Sequence, residues 1–288
     1  MPEPGTAGDP ETERAAMPQQ EPGRGAALRR AQDDQQERAF TLWFNSASGC
    51  GLESVVTGLR SGTALIALLE SLGAESLGRH NRAPSSEPQC LDNLQVALDW
   101  LSSREVRLVG ISPKSLYDGS RTACLGLVYT LIVKYEVHRH GSDVRELLQW
   151  LQEEVEPYEQ AAPPRNFTAA LQDGLVLGCL LHAHFPDLIE LEDLQPGVAS
   201  ARQNNATVLG ALETIGVPRM LDADALGTAP PDEKTAIAFV GVVRHKLEEE
   251  AERRRAARRV AEEERLAELE AAQARAAAEA AAAVAAQE

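Results

Sequence analysis

Two eleven-residue stretches decide the fold: Leu59-Arg60-Ser61-Gly62-Thr63-Ala64-Leu65-Ile66-Ala67-Leu68-Leu69 and Leu171-Gln172-Asp173-Gly174-Leu175-Val176-Leu177-Gly178-Cys179-Leu180-Leu181. Both read L-x-x-G-x-x-L-x-x-L-L, and they lie 112 positions apart. The leucine spacing is that of one apolar helix face, opened in each case by a glycine. Self-similarity at so long a period means duplicated domains rather than a solenoid. Working outward, Trp43 corresponds to Trp150, Val96 to Val208, and Thr122-Ala123 to Thr235-Ala236, with small insertions shifting the offset.

Each copy is read as four main helices around one core. The pattern predicts helices over 34–47, 63–73, 91–103 and 121–138, then over 143–155, 175–185, 202–214 and from 232 onward. Pro113, Asp118-Gly119, Pro218 and Pro230-Pro231-Asp232 fall between these runs, where turns and caps belong. The chain has 288 residues, room for about two domains, and its aromatic content of 4% leaves a core of Leu, Ala, Val and Ile. The fold class is all-α.

The chain divides into a Pro- and Gly-rich arm (1–32), a first domain (33–142), a second domain (143–245) and a charged, Ala-rich tail (246–288). The arm has no apolar period to offset its ordering entropy and is expected to be disordered. The tail lacks Gly and Pro, and as one Ala/Glu/Arg-rich helix its length would be about 65 Å. Glu249 with Arg253 and Glu250 with Arg254 are favourable i, i+4 pairs. Leu247, Val260, Leu266, Leu269 and Val284 do not sustain a heptad, so a single helix or a weak oligomerisation element is expected.

The 28 basic against 44 acidic residues give a formal charge of −16. This disfavours a general nucleic-acid binder, which needs cations for phosphates. The charge divides unevenly: −1 in the arm, −2 in the first domain, −10 in the second and −3 in the tail. Arg104, Arg107, Lys114, Arg121 and Lys134 give the first domain a local cationic cluster. Four widely spaced cysteines offer no zinc pair and read as reduced thiols. With no signal peptide and no transmembrane run, the expected location is cytoplasmic.

Other constellations carry little chemistry. His182 and His184, two apart on a helix, point about 200° from one another, a poor pair for one metal ion. Ser48-Gly49-Cys50-Gly51 lacks the later glycine and the preceding strand of a phosphate loop. Asp222, Asp224, Asp232 and Glu233 lack the alternation and central Gly of a calcium loop. No nucleophile elbow or triad spacing is present, so neither an enzyme nor a cofactor is expected. Trp43 and Trp150 are read as core, with Phe40 or Phe44 shared with an interface.

At Gln36-Glu37-Arg38-Ala39-Phe40-Thr41-Leu42-Trp43-Phe44-Asn45 the sequence resembles the first signature of the tandem calponin-homology family. That family's paired domains form the actin-binding region of alpha-actinin, spectrin, filamin and dystrophin-like proteins. Leu108-Val109-Gly110-Ile111-Ser112 through Asp118-Gly119 to Leu125-Gly126-Leu127-Val128-Tyr129 follows the second signature, with Tyr129 where the family usually has Trp. The second copy resembles the second-type domain at Asp173-Gly174-Leu175, Pro186-Asp187-Leu188-Ile189, Gly216-Val217-Pro218 and Pro231-Asp232-Glu233-Lys234-Thr235.

The resemblance implies two tandem calponin-homology-like helical domains and filamentous actin as partner, in a cytoskeletal protein without catalysis. It maps filament contact onto 36–46, 107–137 and 145–155. The residues it assigns are Gln36, Phe40, Thr41, Phe44, Arg107, Leu108, Lys114, Arg121, Lys134 and Arg145. It also implies that the two domains open relative to each other. The alternative is an adaptor with weak or no filament binding, engaging a protein partner or a second copy through the tail helix. A microtubule or membrane-surface binder would need a larger basic patch.

Overall fold

The computed structural model describes residues 24–140, 143–197, 199–228 and 230–285, and among these the secondary structure is helical throughout. The first unit has four main helices: α1 (Arg24–Ser48), α2 (Thr63–Gly73), α3 (Glu87–Ser103) and α4 (Arg121–Ile132). The second repeats them as α5 (Val144–Val155), α6 (Leu175–His184), α7 (Ala201–Thr214) and α8 (Glu233–Ala285). Short helical turns at Val55–Gly58, Leu59–Ser61, Pro113–Tyr117, Phe167–Ala170, Leu191–Asp193 and Ala223–Thr228 fill the connections.

Two expectations change. The arm expected over 1–32 is helical from Arg24, so residues 24–32 are the first turns of α1; residues 1–23 lie outside the described residues. The pairing of Val96 with Val208 is one residue out, because Gly62 packs on Asn93 and Gly174 on Asn204, an offset of 111. Ala97, fully buried, is therefore the counterpart of fully buried Val208, while Val96 is half-buried.

The duplicated glycine has a physical reason. Gly62 and Gly174 have φ of +75° and +77°, and a Cβ on either would come within 2.6 Å of the Asn93 Cβ or 2.9 Å of the Asn204 Cβ. Only glycine satisfies both the left-handed backbone and the close approach. Each buried asparagine then ties three strands of backbone. Asn93 Nδ2 donates to the Ser61 and Asn81 carbonyls, and its Oδ1 accepts from the Asn81 amide. Asn204 Nδ2 donates to Asp173 and Gln195 carbonyls, and its Oδ1 accepts from the Gln195 amide.

Apolar side chains at helical spacing fill the interior. Phe40, Trp43 and Phe44 of α1 meet Leu65, Leu68 and Leu69 of α2, all at most 2% exposed. In the second unit Leu147, Leu151 and Val155 turn one face of α5 inward. Each such side chain contributes roughly 1.5–3 kcal/mol through burial. The two units pack together where α8 crosses α4 and the π-helical turn Val133–Val137 that follows it. Gly241 permits this approach, since a Cβ there would lie 2.7 Å from Val137 Cγ2.

Candidate functional site

The residues that the family resemblance singles out lie mostly on α1, on the α3–α4 connection and on α4. Phe40 and Phe44 are fully buried and Thr41 is 5% exposed, so in this arrangement none of the three presents a contact surface. Phe40 stacks on the ring of Tyr129 at 6.2 Å, joining α1 to α4. The Thr41 hydroxyl donates to the Glu37 carbonyl and accepts from the Val55 amide, a structural role. Gln36 is half-buried, and its Nε2 donates to Asp232 Oδ1 at 2.9 Å, across to the second unit.

The cationic cluster divides in two. Arg104 pairs with Glu75 and lies 3.6 Å over the Trp100 ring. Lys114 bonds Asp118 at 2.6 Å and Glu87 at 3.1 Å, and these partners raise its ammonium above the ordinary lysine value. Arg121 pairs with Glu37 and Asp34 of α1 and bonds the Asp33 carbonyl, fastening α4 to α1. By contrast Arg107, Lys134 and Arg145 are exposed and make no ion pair among the described residues. Leu108 is half-buried against the core.

Beside Arg107 stands a feature not singled out in the sequence: Val109 is 80% exposed, followed by Gly110 at φ +71°. The pattern gave no signal for it, because Leu108, Val109 and Ile111 form one short apolar run and only the fold decides which points outward. A second such feature is Glu136 on the π-helical turn. Its side chain is 8% exposed, accepts from Trp43 Nε1 at 2.7 Å and pairs with Nδ1 of His245 on α8. Arg139 meets the other ring nitrogen of His245. Lys234, also on α8, lies 5.5 Å from the centre of the Tyr129 ring. Acidic and basic residues on helices read as solvated in sequence; here helix-to-helix packing makes them a seam.

The seam takes in part of the surface in question, with Gln36 bonded across it while Arg107, Lys134 and Arg145 stay exposed. Gln36, Trp43 and Phe40 of α1, Tyr129 of α4 and Glu136 beyond it lie on or directly beneath α8 and its cap. Gln32 Nε2 adds a bond to the Pro230 carbonyl at 3.2 Å. Asp232 serves both sides at once, since it also accepts from the Lys234 and Thr235 amides that begin α8.

The remaining candidates have local roles. His182 Nδ1 meets Tyr158 Oη at 3.1 Å, and His184 faces Glu154 at 3.4 Å, so the two rings turn to different partners. Trp150 is half-buried, with Nε1 donating to Glu154 at 3.1 Å and Arg244 over its ring at 5.0 Å. Among the described residues no three His, Cys, Asp or Glu side chains gather as metal ligands. Burial pushes the Cys124 and Cys179 thiols up to about 11, which leaves them almost wholly protonated at neutral pH and weak as nucleophiles. No single described helix is long and apolar enough to cross a membrane.

A helical unit repeated in tandem, with a left-handed glycine packed on a buried asparagine in each copy, defines a two-domain helical module. The family model of the calponin homology (CH) domain matches residues 34–137 and 142–245, and the chain belongs to that family. It is 33% identical over 234 residues to alpha-actinin-like protein 1 of Schizosaccharomyces pombe, covering 78% of this chain and 38% of that one. Human alpha-actinin-4 is 32% identical over 223 residues, covering 75% of this chain and 24% of that protein. The chain thus spans about a quarter to two fifths of the length of these relatives. The crystal structure of the actin-crosslinking core of Schizosaccharomyces pombe fimbrin has the same fold, with a TM-score of 0.62 at 19% identity over 74% of this chain and 48% of that one.

Proposed function

We propose that this chain is a non-enzymatic, actin-filament-binding protein of the cytoskeleton, in which the first unit makes the leading contact and the second unit governs access to it. The likeness to alpha-actinins and to the actin-crosslinking core of a fimbrin supports filamentous actin as the partner. The observation that carries the division of labour is the bond from Gln36 on α1 to Asp232 at the start of α8. A residue assigned to filament contact is held by the second unit, so full contact requires α8 to move off α1 and α4.

In this reading Arg107 and Lys134 of the first unit, cations without ion pairs among the described residues, meet the acidic filament first, and Arg145 on α5 is the second unit's contribution. Val109 supplies an apolar anchor beside them. Lys114 and Arg121 contribute less, because acidic neighbours already oppose their charge. Location with the actin cytoskeleton in the cytoplasm follows from the partner. Co-sedimentation of the full chain with actin filaments over a range of ionic strength tests the proposal. Pelleting that weakens steadily as salt screens the cations is the expected result. Absence of pelleting at low salt overturns it.

A further inference from the structure

The last anchorage of α8 on the second unit is Arg254, which bonds Asp187 at 3.0 Å and lies 4.3 Å over the Phe185 ring. From Arg255 to Ala276 every residue is exposed. Charge on this free length is sorted into two blocks. Residues 253–259 hold Arg253, Arg254, Arg255, Arg258 and Arg259 with no acid, a charge of +5. Residues 262–270 hold Glu262, Glu263, Glu264, Glu268 and Glu270 against the single Arg265, a charge of −4.

Most of these charges are not consumed within the helix. Arg253 and Arg254 pair back toward Glu249, Glu250 and Asp187, but Arg255, Arg258, Arg259 and Glu262, Glu263, Glu264 make no ion pair among the described residues. Arg258 with Glu262 and Arg259 with Glu263 stand at i, i+4 with the base N-terminal to the acid, the weaker of the two orders. The same length carries Val260, Leu266 and Leu269 at 55%, 55% and 48% exposure, three of the five large apolar side chains exposed among the described residues.

We propose that a second copy of this chain docks on this length in antiparallel fashion, about a two-fold axis near residues 261 and 262. The two-fold sets the basic block of each copy against the acidic block of the other, over about 27 Å for residues 253–270. A parallel pair would set +5 against +5 and −4 against −4. Leu266 and Leu269 share a face at i, i+3 but Val260 lies on another side, so no heptad seam forms, charge sets the orientation, and the association is weak and salt-sensitive. Two head modules, one from each copy, then leave the contact in opposite directions. The docking does not depend on what the heads bind.

Sedimentation equilibrium of the full chain tests this without reference to actin. At low salt the wild type is expected to dimerise, with a dissociation constant that rises at least tenfold at high salt. Glu262→Arg with Glu263→Arg and Glu264→Arg gives two basic blocks, and Arg255→Glu with Arg258→Glu and Arg259→Glu makes the first block acidic on balance. Each triple variant is expected to weaken self-association at least tenfold, and the six-fold combination, whose blocks are again of opposite sign at −1 and +2, to bind more tightly than either triple variant. Circular dichroism confirms that the tail stays helical in each. A wild type that stays monomeric at low salt overturns the proposal, as does a six-fold variant that is helical yet does not recover. Wild type mixed with the six-fold variant is expected not to form mixed dimers; preferential mixed pairing would mean a parallel arrangement and would also overturn it.

Discussion

The two CH units share an interior and differ in what they show to solvent and to each other. Gly62 on Asn93 and Gly174 on Asn204 are the same device twice, with the same donors, acceptors and left-handed backbone. The tryptophans that correspond do not match: Trp43 is 2% exposed with its indole on Glu136, whereas Trp150 is half-buried with its indole on Glu154 of its own helix. In the first unit that position feeds the seam between the units; in the second it packs half-buried at the core's edge under Arg244 of its own unit. Charge diverges in the same way, −2 against −10 by sequence. Duplication preserved what closes each core, and the surfaces diverged into a face to be covered and a cover.

The largest expected effect tests the shared half of this comparison. Asn93→Ala and Asn204→Ala each leave two carbonyls and an amide without their partner, at a cost of about 3 kcal/mol. If the copies are equivalent, urea unfolding of the two variants shows losses within about 1 kcal/mol of each other. A cost confined to one unit would mean that only one copy still depends on the motif.

The next tests the difference in charge. Arg107→Glu with Lys134→Glu is expected to weaken actin co-sedimentation about tenfold, equivalent to about 1.4 kcal/mol. Arg202→Glu with Arg219→Glu on the second unit is expected to leave it within about twofold, because those arginines already face Asp224 and Glu213. Equal losses from both pairs would remove the first unit's leading role. A smaller change, in the opposite direction, is expected for Glu136→Ala. Trp43 and His245 then lose their shared partner, the closed arrangement is less favoured, and filament affinity rises about threefold in the same assay. Unchanged affinity would show that the seam does not limit access.

The duplicated pattern made the eight main helices and the family legible, because buried leucines at helical spacing are a strong signal and Gly62 and Gly174 mark the same turn. The candidate face was legible only in part. Phe40 and Phe44 stand at positions the resemblance assigns to contact, yet an aromatic on an amphipathic helix reads the same whether it meets a core or a partner, and both are buried. Arg121 looked like a free cation because its acidic partner Glu37 is far away in sequence; Lys114 has one equally remote partner, Glu87, but its other, Asp118, stands only four residues on. Glu136, His245 and Lys234 gave no signal, since a charged residue becomes a seam residue only when another helix lies across it.

The smallest effect separates how the first helix of each copy begins. By the tryptophan correspondence Asp143 is the counterpart of Gln36, but Asp143 starts α5 while Gln36 lies in the middle of α1 and reaches out to Asp232. Asp143 accepts from the Arg145 and Glu146 amides, and Glu146 reaches back to the Asp143 amide, a complete capping box. The Glu146 and Arg145 amides hold the Asp143 carboxyl below the ordinary aspartate value. A depressed acid contributes stability that is present above its unfolded value and is lost as pH falls through the folded one. Asp143→Ala is therefore expected to lower the thermal midpoint by about 2 °C at pH 7, with Asp143→Asn in between because its amide oxygen still caps. In acid, below the depressed value, the wild-type advantage over Asp143→Asn should vanish. A gap that persists there would show that α5 is held by its buried leucines and not by the charge at its start, as α1 is held at Gln36 by contact with another domain.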